Sequence, residues 1–178
     1  NNVVFAGERD LSRGLSTAAA LKRKIKQAAT PLRQIQQKIS FYESGMVQAE
    51  QQLVIRNAQL ANVQDIATNN RLIGAINTIR GQMSLAQKSL EVLKEHENQA
   101  RVQLNEAREA YVQNTFEMRK LADQLSEAYD KAADSPETQE RIKTLAAESG
   151  KELKFEKSSA LQNNLRKLED LEKTVYKE

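Results

Sequence analysis

The first side chains that could do chemistry are a lone histidine and its two acidic neighbours. His96 is the only histidine of the chain and stands between Glu95 and Glu97. Helical di-iron sites need two Glu-x-x-His motifs, but the residue three positions before His96 is Leu93. With one histidine and no cysteine, good ligands for a transition metal are scarce. We therefore predict neither a metal site nor a bound cofactor.

The pattern of the remaining polar residues does not suggest catalysis. A nucleophile, base and acid triad needs an oriented base, and the sequence offers the lone histidine no orienting partner. The carboxylates are scattered along helix faces, without an apolar cleft that could raise a pKa. The six glycines never cluster into a phosphate-binding loop. We expect a protein that is not an enzyme.

A basic cluster near the start of the chain could bind anions. The cluster consists of Lys22, Arg23, Lys24 and Lys26. The first 40 residues carry eight basic and two acidic side chains, although the whole chain has a net charge of only +3. Such a face could engage anionic lipid headgroups, whereas nucleic acid is not expected because no aromatic residue is interleaved for stacking. The alternative is an ordinary solvated helix face whose lysines meet acids of a neighbouring helix.

A cluster of large apolar residues could serve as a protein-binding tip. It consists of Leu72, Ile73, Ile76 and Ile79. Apolar side chains exposed at the end of a helical hairpin would mark a partner surface. Alternatively, these side chains close the core at the end of the hairpin or pack in a dimer.

Three polar residues stand at positions where an apolar residue is expected. They are Arg56, Glu97 and Asn114. A buried polar residue in a helical seam can fix the register or the oligomeric state. Alternatively, these residues face solvent where the bundle is thin.

Apart from Leu72 and Ile73, these side chains lie within two long heptad patterns, one from Leu11 to Ala67 and one from Ile76 to Ala132. Apolar residues recur alternately three and four positions apart, which is typical of long helices that pack against other helices. The composition agrees, since aromatic residues make up 4% and there are only 2 prolines. The chain is therefore expected to be all-α.

The heptads and the breaks between them predict three helices, at about residues 8–67, 75–133 and 136–177, after a disordered segment 1–7. Thr68 to Gly74 is expected to form the first reversal, and the sequence from Asp134 to Glu137 supplies a cap, a proline and an acid for the third helix. Kinks are expected at Pro31, Gly45 and Gly150. Pro31 and Gly150 could also mark true breaks in their helices.

Short connections make consecutive helices antiparallel neighbours. We therefore predict one elongated domain, residues 1–178, built as an antiparallel coiled-coil bundle of three long helices. The third helix is too short to reach the first reversal, so the tip should contain only two helices.

Three functions fit this architecture. The leading hypothesis is a structural or interaction protein, a helical scaffold or spacer that binds other proteins or itself, as a homodimer. The second is a membrane-surface module, because three long kinked helices and a basic region resemble the BAR architecture. The third is an extracytoplasmic adaptor or sensor, because the chain lacks a start Met and an upstream signal or anchor could have been removed. The sequence leaves the compartment open.

Overall fold

The computed structural model describes the backbone of residues 2–177 and, except at Asn2, Val3 and Phe5, their side chains. The regular structure in this range consists of α1 (Asn2–Ala61), α2 (Ile66–Asp134), α3 (Pro136–Ser149), α4 (Ser159–Thr174) and a 3-10 turn (Val175–Lys177). The all-α prediction is confirmed. The prediction of three long helices is not, because the described residues form four.

The first helix is longer at its start than the sequence suggested. Of the segment predicted to be disordered, Asn1 lies outside the described residues, and residues 2–7 are helical. The helix continues through Pro31 and Gly45. Neither residue ends it, which agrees with the heptad phase that runs unbroken through both.

The first reversal comes earlier than predicted, at residues 62–65 rather than 68–74. Its cause is Asp65, whose carboxylate accepts hydrogen bonds from the Thr68 N–H and the Thr68 hydroxyl, both at 3.0 Å. A carboxylate three residues before a free backbone N–H is an N-cap, so α2 begins at Ile66. The hydrogen bond from the Thr68 backbone also lowers the pKa of Asp65.

The start of α3 agrees with the sequence. Ser135 caps the helix by accepting a hydrogen bond from the Thr138 N–H at 3.3 Å, Pro136 occupies the first turn, and Glu137 adds a negative charge there. That charge lies beside the positive end of the helix dipole.

The predicted third helix is in fact two helices. Gly150 adopts a left-handed conformation with φ 66° and donates its N–H to the Ala146 carbonyl at 2.9 Å, which ends α3. Residues 151–158 are not helical. The chain becomes helical again where the Ser158 hydroxyl accepts a hydrogen bond from the Leu161 N–H at 3.1 Å. A glycine at a left-handed helix end costs no Cβ clash, so Gly150 is a break and not a kink.

The helices pack as two compact units, the first formed by residues 1–26 and 106–178 and the second by residues 27–105. In the first unit, α2 buries Thr115 and Ala122, and three helical segments each contribute three further buried residues that are seven positions apart. These residues are Leu11, Ala18 and Ile25 from α1, Tyr111, Met118 and Leu125 from α2, and Leu161, Leu168 and Val175 from the end of the chain. Seven-residue spacing puts each set on one face of its segment, so the core of this unit lies between three helices.

The contacts of the first unit fix the directions of its helices. Gly7 lies against Leu125 and Gly14 against Met118, so α1 and α2 run antiparallel here. Arg119 pairs with Glu172 near the end of α4, whereas Ser126, one heptad further along α2, contacts Lys157 just before α4, so α4 is antiparallel to α2 as well.

The second unit contains only parts of α1 and α2. Glu43 pairs with Lys94 at 4.0 Å across the two helices. Its buried apolar side chains are Ile39, Leu72, Ile76, Leu90, Ala100 and Leu104. Most other seam positions are half-buried, since two helices cover each other on one side only.

Candidate interaction surfaces

In the first unit, a charged cluster that was not predicted from the sequence fixes α4 against α2. Arg119 donates two hydrogen bonds to the Glu172 carboxylate, from Nε at 3.0 Å and from Nη2, and a third to Asp123 Oδ1 at 3.4 Å. Hydrogen bonding to Glu172 raises the pKa of Arg119 above its ordinary value. A two-pronged guanidinium–carboxylate pair fixes orientation as well as distance. The cluster therefore sets the position of α4 on α2.

A second polar cluster joins three elements of the first unit. The Tyr129 hydroxyl donates a hydrogen bond to Glu8 Oε1, and the Ser158 hydroxyl contacts the same oxygen at 3.3 Å. Burial, followed by the hydrogen bond to Glu8, raises the pKa of Tyr129. Its ring also lies 5.9 Å from that of Phe155. The heptad pattern does not predict this contact, because Glu8 is 121 residues from Tyr129 and 150 residues from Ser158 in the sequence.

The predicted basic cluster lies on α1 within the first unit. Arg23, Lys24 and Lys26 are exposed, whereas Lys22 is half-buried. Lys22 borders a shallow groove between α1 and α4 that also contains Asp170. Three of the four side chains are therefore exposed, and Lys22 is part of the helix packing.

The three polar seam residues have different surroundings. Asn114, in the first unit, donates a hydrogen bond from Nδ2 to the Gly14 carbonyl at 3.1 Å. The Gly14 carbonyl lies at one position along α1. If α2 slipped along α1, Asn114 would lose this hydrogen bond. This arrangement suits the predicted register role of Asn114.

Arg56 and Glu97 lie in the second unit and do not meet each other. Glu97 is 3.6 Å from Arg101 on the same helix, and Arg56 donates to Gln59 Oε1 at 3.2 Å. The Nε atom of Arg56 is buried without a hydrogen-bond partner among the described residues. Both contacts are within one helix, so neither fixes the register of one helix against the other.

The predicted apolar tip is divided between core and surface. Leu72 and Ile76 are buried, Ile79 is half-buried, and Ile73 is 41% exposed. The alternative that these residues close the core of the hairpin is therefore correct for Leu72 and Ile76. Ile66, at the start of α2, is 79% exposed and adds to the surface around Ile73.

His96 lies in a groove of about 700 Å³ in the second unit. Phe41 and Val92 are among its apolar lining residues, and its basic side chains are Lys38, Lys88 and His96. Among the described residues, no group of three or more His, Asp or Glu side chains could hold a metal ion. The surroundings of His96 are thus apolar and basic.

The exposed apolar side chains of this groove were not predicted from the sequence. Phe41 is 76% exposed and Val92 is 52% exposed. Ile55 follows Phe41 by two heptads, and Leu85 precedes Val92 by one, and both are exposed as well. Heptad spacing could have revealed them. Residues that are seven or fourteen positions apart lie on the same side of a helix, and these apolar residues repeat at one heptad position outside the seam. We call Phe41, Ile55, Leu85 and Val92 the apolar face.

Comparisons with family models, curated proteins and solved structures give no match for this chain. Within residues 2–177, none of the helices contains a stretch long and apolar enough to cross a membrane. The candidate surfaces therefore have to be interpreted from their own chemistry.

Proposed function

We propose that the protein is a non-enzymatic structural and interaction protein, an elongated antiparallel helical coiled coil that joins or spaces other proteins or copies of itself. The observation that carries the proposal is the distribution of exposed large apolar side chains. Nine of the fourteen among the described residues lie in the second unit, within residues 27–105. They are Phe41, Val47, Val54, Ile55, Ile66, Ile73, Leu85, Val92 and Val102.

The enrichment has a physical meaning because exposed apolar surface on a soluble protein favours association. Scattered single residues need no explanation, but contiguous apolar patches mark interaction sites. The apolar face and the surface around Ile73 each present exposed apolar residues at whole-heptad spacing on one side of a helix, which supports their assignment as interaction sites. A scaffold binds through patches of this kind without needing a cleft.

Capture from a lysate of the source organism tests the proposal when matched variants are compared. The immobilised full chain carries either Phe41→Glu with Val92→Glu, or Ile66→Glu with Ile73→Glu, in the second unit. The control carries Phe116→Glu with Leu145→Glu in the first unit, where the two side chains are 53% and 48% exposed. We expect proteins retained by the wild type and the control but lost with a second-unit pair. Equal retention by all variants would overturn the proposal.

The elongated form is tested separately by small-angle X-ray scattering. A compact globule of 178 residues has a radius of gyration of about 16 Å. A coiled-coil scaffold should give a clearly larger value. A measured value near that of a globule would contradict the spacer role.

A membrane-surface function is the second candidate, supported by the exposed basic side chains of Arg23, Lys24 and Lys26. Each such residue near an anionic surface contributes about 1 kcal/mol. Sedimentation with phosphatidylserine vesicles should then be lost in Arg23→Glu/Lys24→Glu. It should persist in Arg141→Glu/Lys143→Glu, an exposed basic pair on α3. Absence of binding by the wild type would remove this candidate.

A further inference from the structure

The groove that contains His96 combines apolar side chains with positive charge. Phe41 and Val92 line it together with Lys38, Lys88 and His96, and none of its lining residues is a carboxylate. All five of these side chains are exposed. Neither lysine forms an ion pair among the described residues. The groove therefore presents two ammonium groups that have no counter-charge.

Acidic residues are absent from the positions that form this side of the hairpin. Five of the lining residues, such as Lys38, directly precede a residue of the heptad seam. Positions of this kind lie together on one flank of the seam. Within residues 34–55 and 82–103 they hold no acid. The acids that neighbour these positions in sequence, such as Glu95, are not among the lining residues of the groove.

The ion pair of this part of the hairpin lies on the other flank of the seam. Glu43 and Lys94 are 4.0 Å apart across the two helices. Each of them directly follows a seam residue, whereas Lys38 and His96 each precede one, and these two kinds of position lie on opposite sides of an apolar seam. The pair therefore does not neutralise the lysines of the groove.

The first unit provides an example of how a helix covers α1 and α2 in this chain. There α4 contributes Leu161 and Leu168 to the core, and its Glu172 pairs with Arg119 of α2. An amphipathic helix thus supplies apolar residues to the seam and a carboxylate to a basic side chain beside it. Helices with such a pattern are a common way for one protein to occupy a groove of another.

We infer that the groove of the second unit binds an acidic amphipathic helix of a partner protein. Apolar side chains of that helix cover Phe41 and Val92, and its carboxylates lie against Lys38 and Lys88, with His96 as a further hydrogen-bond donor. Charge complementarity selects this occupant, because a basic helix would be repelled and an uncharged one would leave the two ammonium groups without a counter-charge.

This inference rests on the proposed function and names the chemistry of one partner. Two synthetic peptides of three heptads test it with the purified full chain. Both carry leucine at the first and fourth heptad positions, and the positions that flank the leucines are glutamate in one peptide and lysine in the other. Fluorescence anisotropy of the labelled peptides should show saturable binding of the glutamate peptide only.

Substitutions in the chain test where the peptide binds. Lys38→Glu/Lys88→Glu should weaken binding of the glutamate peptide at least about tenfold, because it reverses the charge of the groove. Phe41→Ala should weaken binding about tenfold by removing an apolar anchor. The matched control is Arg33→Glu/Arg80→Glu, an exposed basic pair with one residue on each helix, on the flank that faces away from the groove. Circular dichroism of each variant establishes that the helices remain folded.

Nuclear magnetic resonance locates the peptide directly. In proton–nitrogen correlation spectra of the full chain, the amide signals of Phe41, Val92 and His96 should shift when the glutamate peptide is added. The amide signals of Arg33 and Arg80 should stay in place. Shifts confined to other parts of the chain would contradict the assignment to this groove.

The outcomes separate this inference from the proposed function. Absence of peptide binding, equal binding of the two peptides, or equal loss in the groove variants and the control would overturn the acidic-helix inference. The proposed function would still stand if lysate proteins were lost with Phe41→Glu/Val92→Glu in the capture experiment. Binding of the glutamate peptide without any captured protein would instead support the preference of the groove and remove the proposed function.

Discussion

The two units of the molecule use the same heptad pattern but bury it to different extents. The first unit contains ten of the sixteen buried apolar residues among the described side chains, and the second contains six. For exposed large apolar residues the order is reversed, with five in the first unit and nine in the second. The first unit has α4 as a third helix around its core, whereas the second has only two helices.

This difference shows that a heptad pattern alone does not determine how deeply its side chains are buried. Two helices shield each other along one side, so the flanking positions stay open until a further helix covers them. In the first unit that helix is part of the chain. In the second unit the flanking positions remain open among the described residues, which is why the proposed function concerns the second unit. The following substitutions test the contrast, from the largest expected effect to the smallest.

A large-to-small substitution should cost more in the first unit. Leu168 is 0% exposed, so Leu168→Ala should lower the free energy of unfolding by about 3 kcal/mol. Leu93 is half-buried on the seam of the second unit, and Leu93→Ala should cost about half as much. Urea denaturation followed by circular dichroism measures both values. Equal losses would show that the seam of the second unit is as well covered as the core of the first.

Glycine substitutions should have opposite signs in the two units. A Cβ added at Gly14 would lie 2.7 Å from Met118 Cγ, and Met118 is only 3% exposed, so Gly14→Ala should destabilise by about 1 kcal/mol. A Cβ at Gly45 meets nothing within 4 Å, so Gly45→Ala should stabilise by about 0.5–1 kcal/mol through helix propensity. Thermal unfolding of both variants checks the signs. Stabilisation by Gly14→Ala would mean that α1 and α2 are not in close contact at that point.

Breaking an ion pair should also cost more stability in the first unit than in the second. Arg119 and Glu172 are 35% and 32% exposed, and after allowance for solvent screening we expect Arg119→Gln to cost about 1 kcal/mol. Lys94 and Glu43 are more than half exposed at 4.0 Å, so Lys94→Gln should change stability by less than about 0.3 kcal/mol. A double-mutant cycle with Glu172→Gln isolates the coupling. A coupling energy of zero would remove the role of this pair in holding α4.

The contrast also explains which parts of the fold were predictable from the sequence. The helical character of α1 and α2 and the Ser135–Pro136 start of α3 depend on residues close in sequence, and these were predicted correctly. The first reversal was misplaced because Thr68 looked like a helix end, whereas its N–H and hydroxyl complete the cap of Asp65. At Gly150 the sequence allowed either a kink or a break, since a left-handed φ is a property of the folded backbone.

The candidate sites were harder to predict because their partners are distant in sequence. The sequence marked Gly14 only as an exception to the seam, yet it is the point where Met118 approaches α1 and Asn114 binds a carbonyl. The bond between Tyr129 and Glu8 likewise needs two helices to be in place. The apolar face could have been found, because its heptad spacing is written in the sequence. Whether its side chains are covered depends on the number of neighbouring helices.

Alkaline pH should weaken the first unit through Tyr129. Its pKa is raised above the ordinary 10.0, so the folded state favours the protonated phenol. This contribution to stability is fully present below about pH 10 and is lost as the pH rises through the folded-state pKa. Ultraviolet titration of the four tyrosines should show a late component that disappears in Tyr129→Phe and moves to lower pH in Glu8→Gln. An unchanged late component in Tyr129→Phe would exclude this assignment.

Acid should act on the second unit with the opposite sign, through Asp65. Its pKa is lowered by the hydrogen bond from the Thr68 N–H, so its contribution is present above the ordinary value of 3.8 and is lost as the pH falls through the folded-state pKa. Asp65→Asn keeps an oxygen that accepts from Thr68 but cannot titrate, and Asp65→Ala removes the cap at every pH. Helicity followed by circular dichroism at neutral and acid pH should therefore fall with acid more in the wild type than in Asp65→Asn. In Asp65→Ala it should be reduced already at neutral pH, because α2 then loses the cap that ends the reversal.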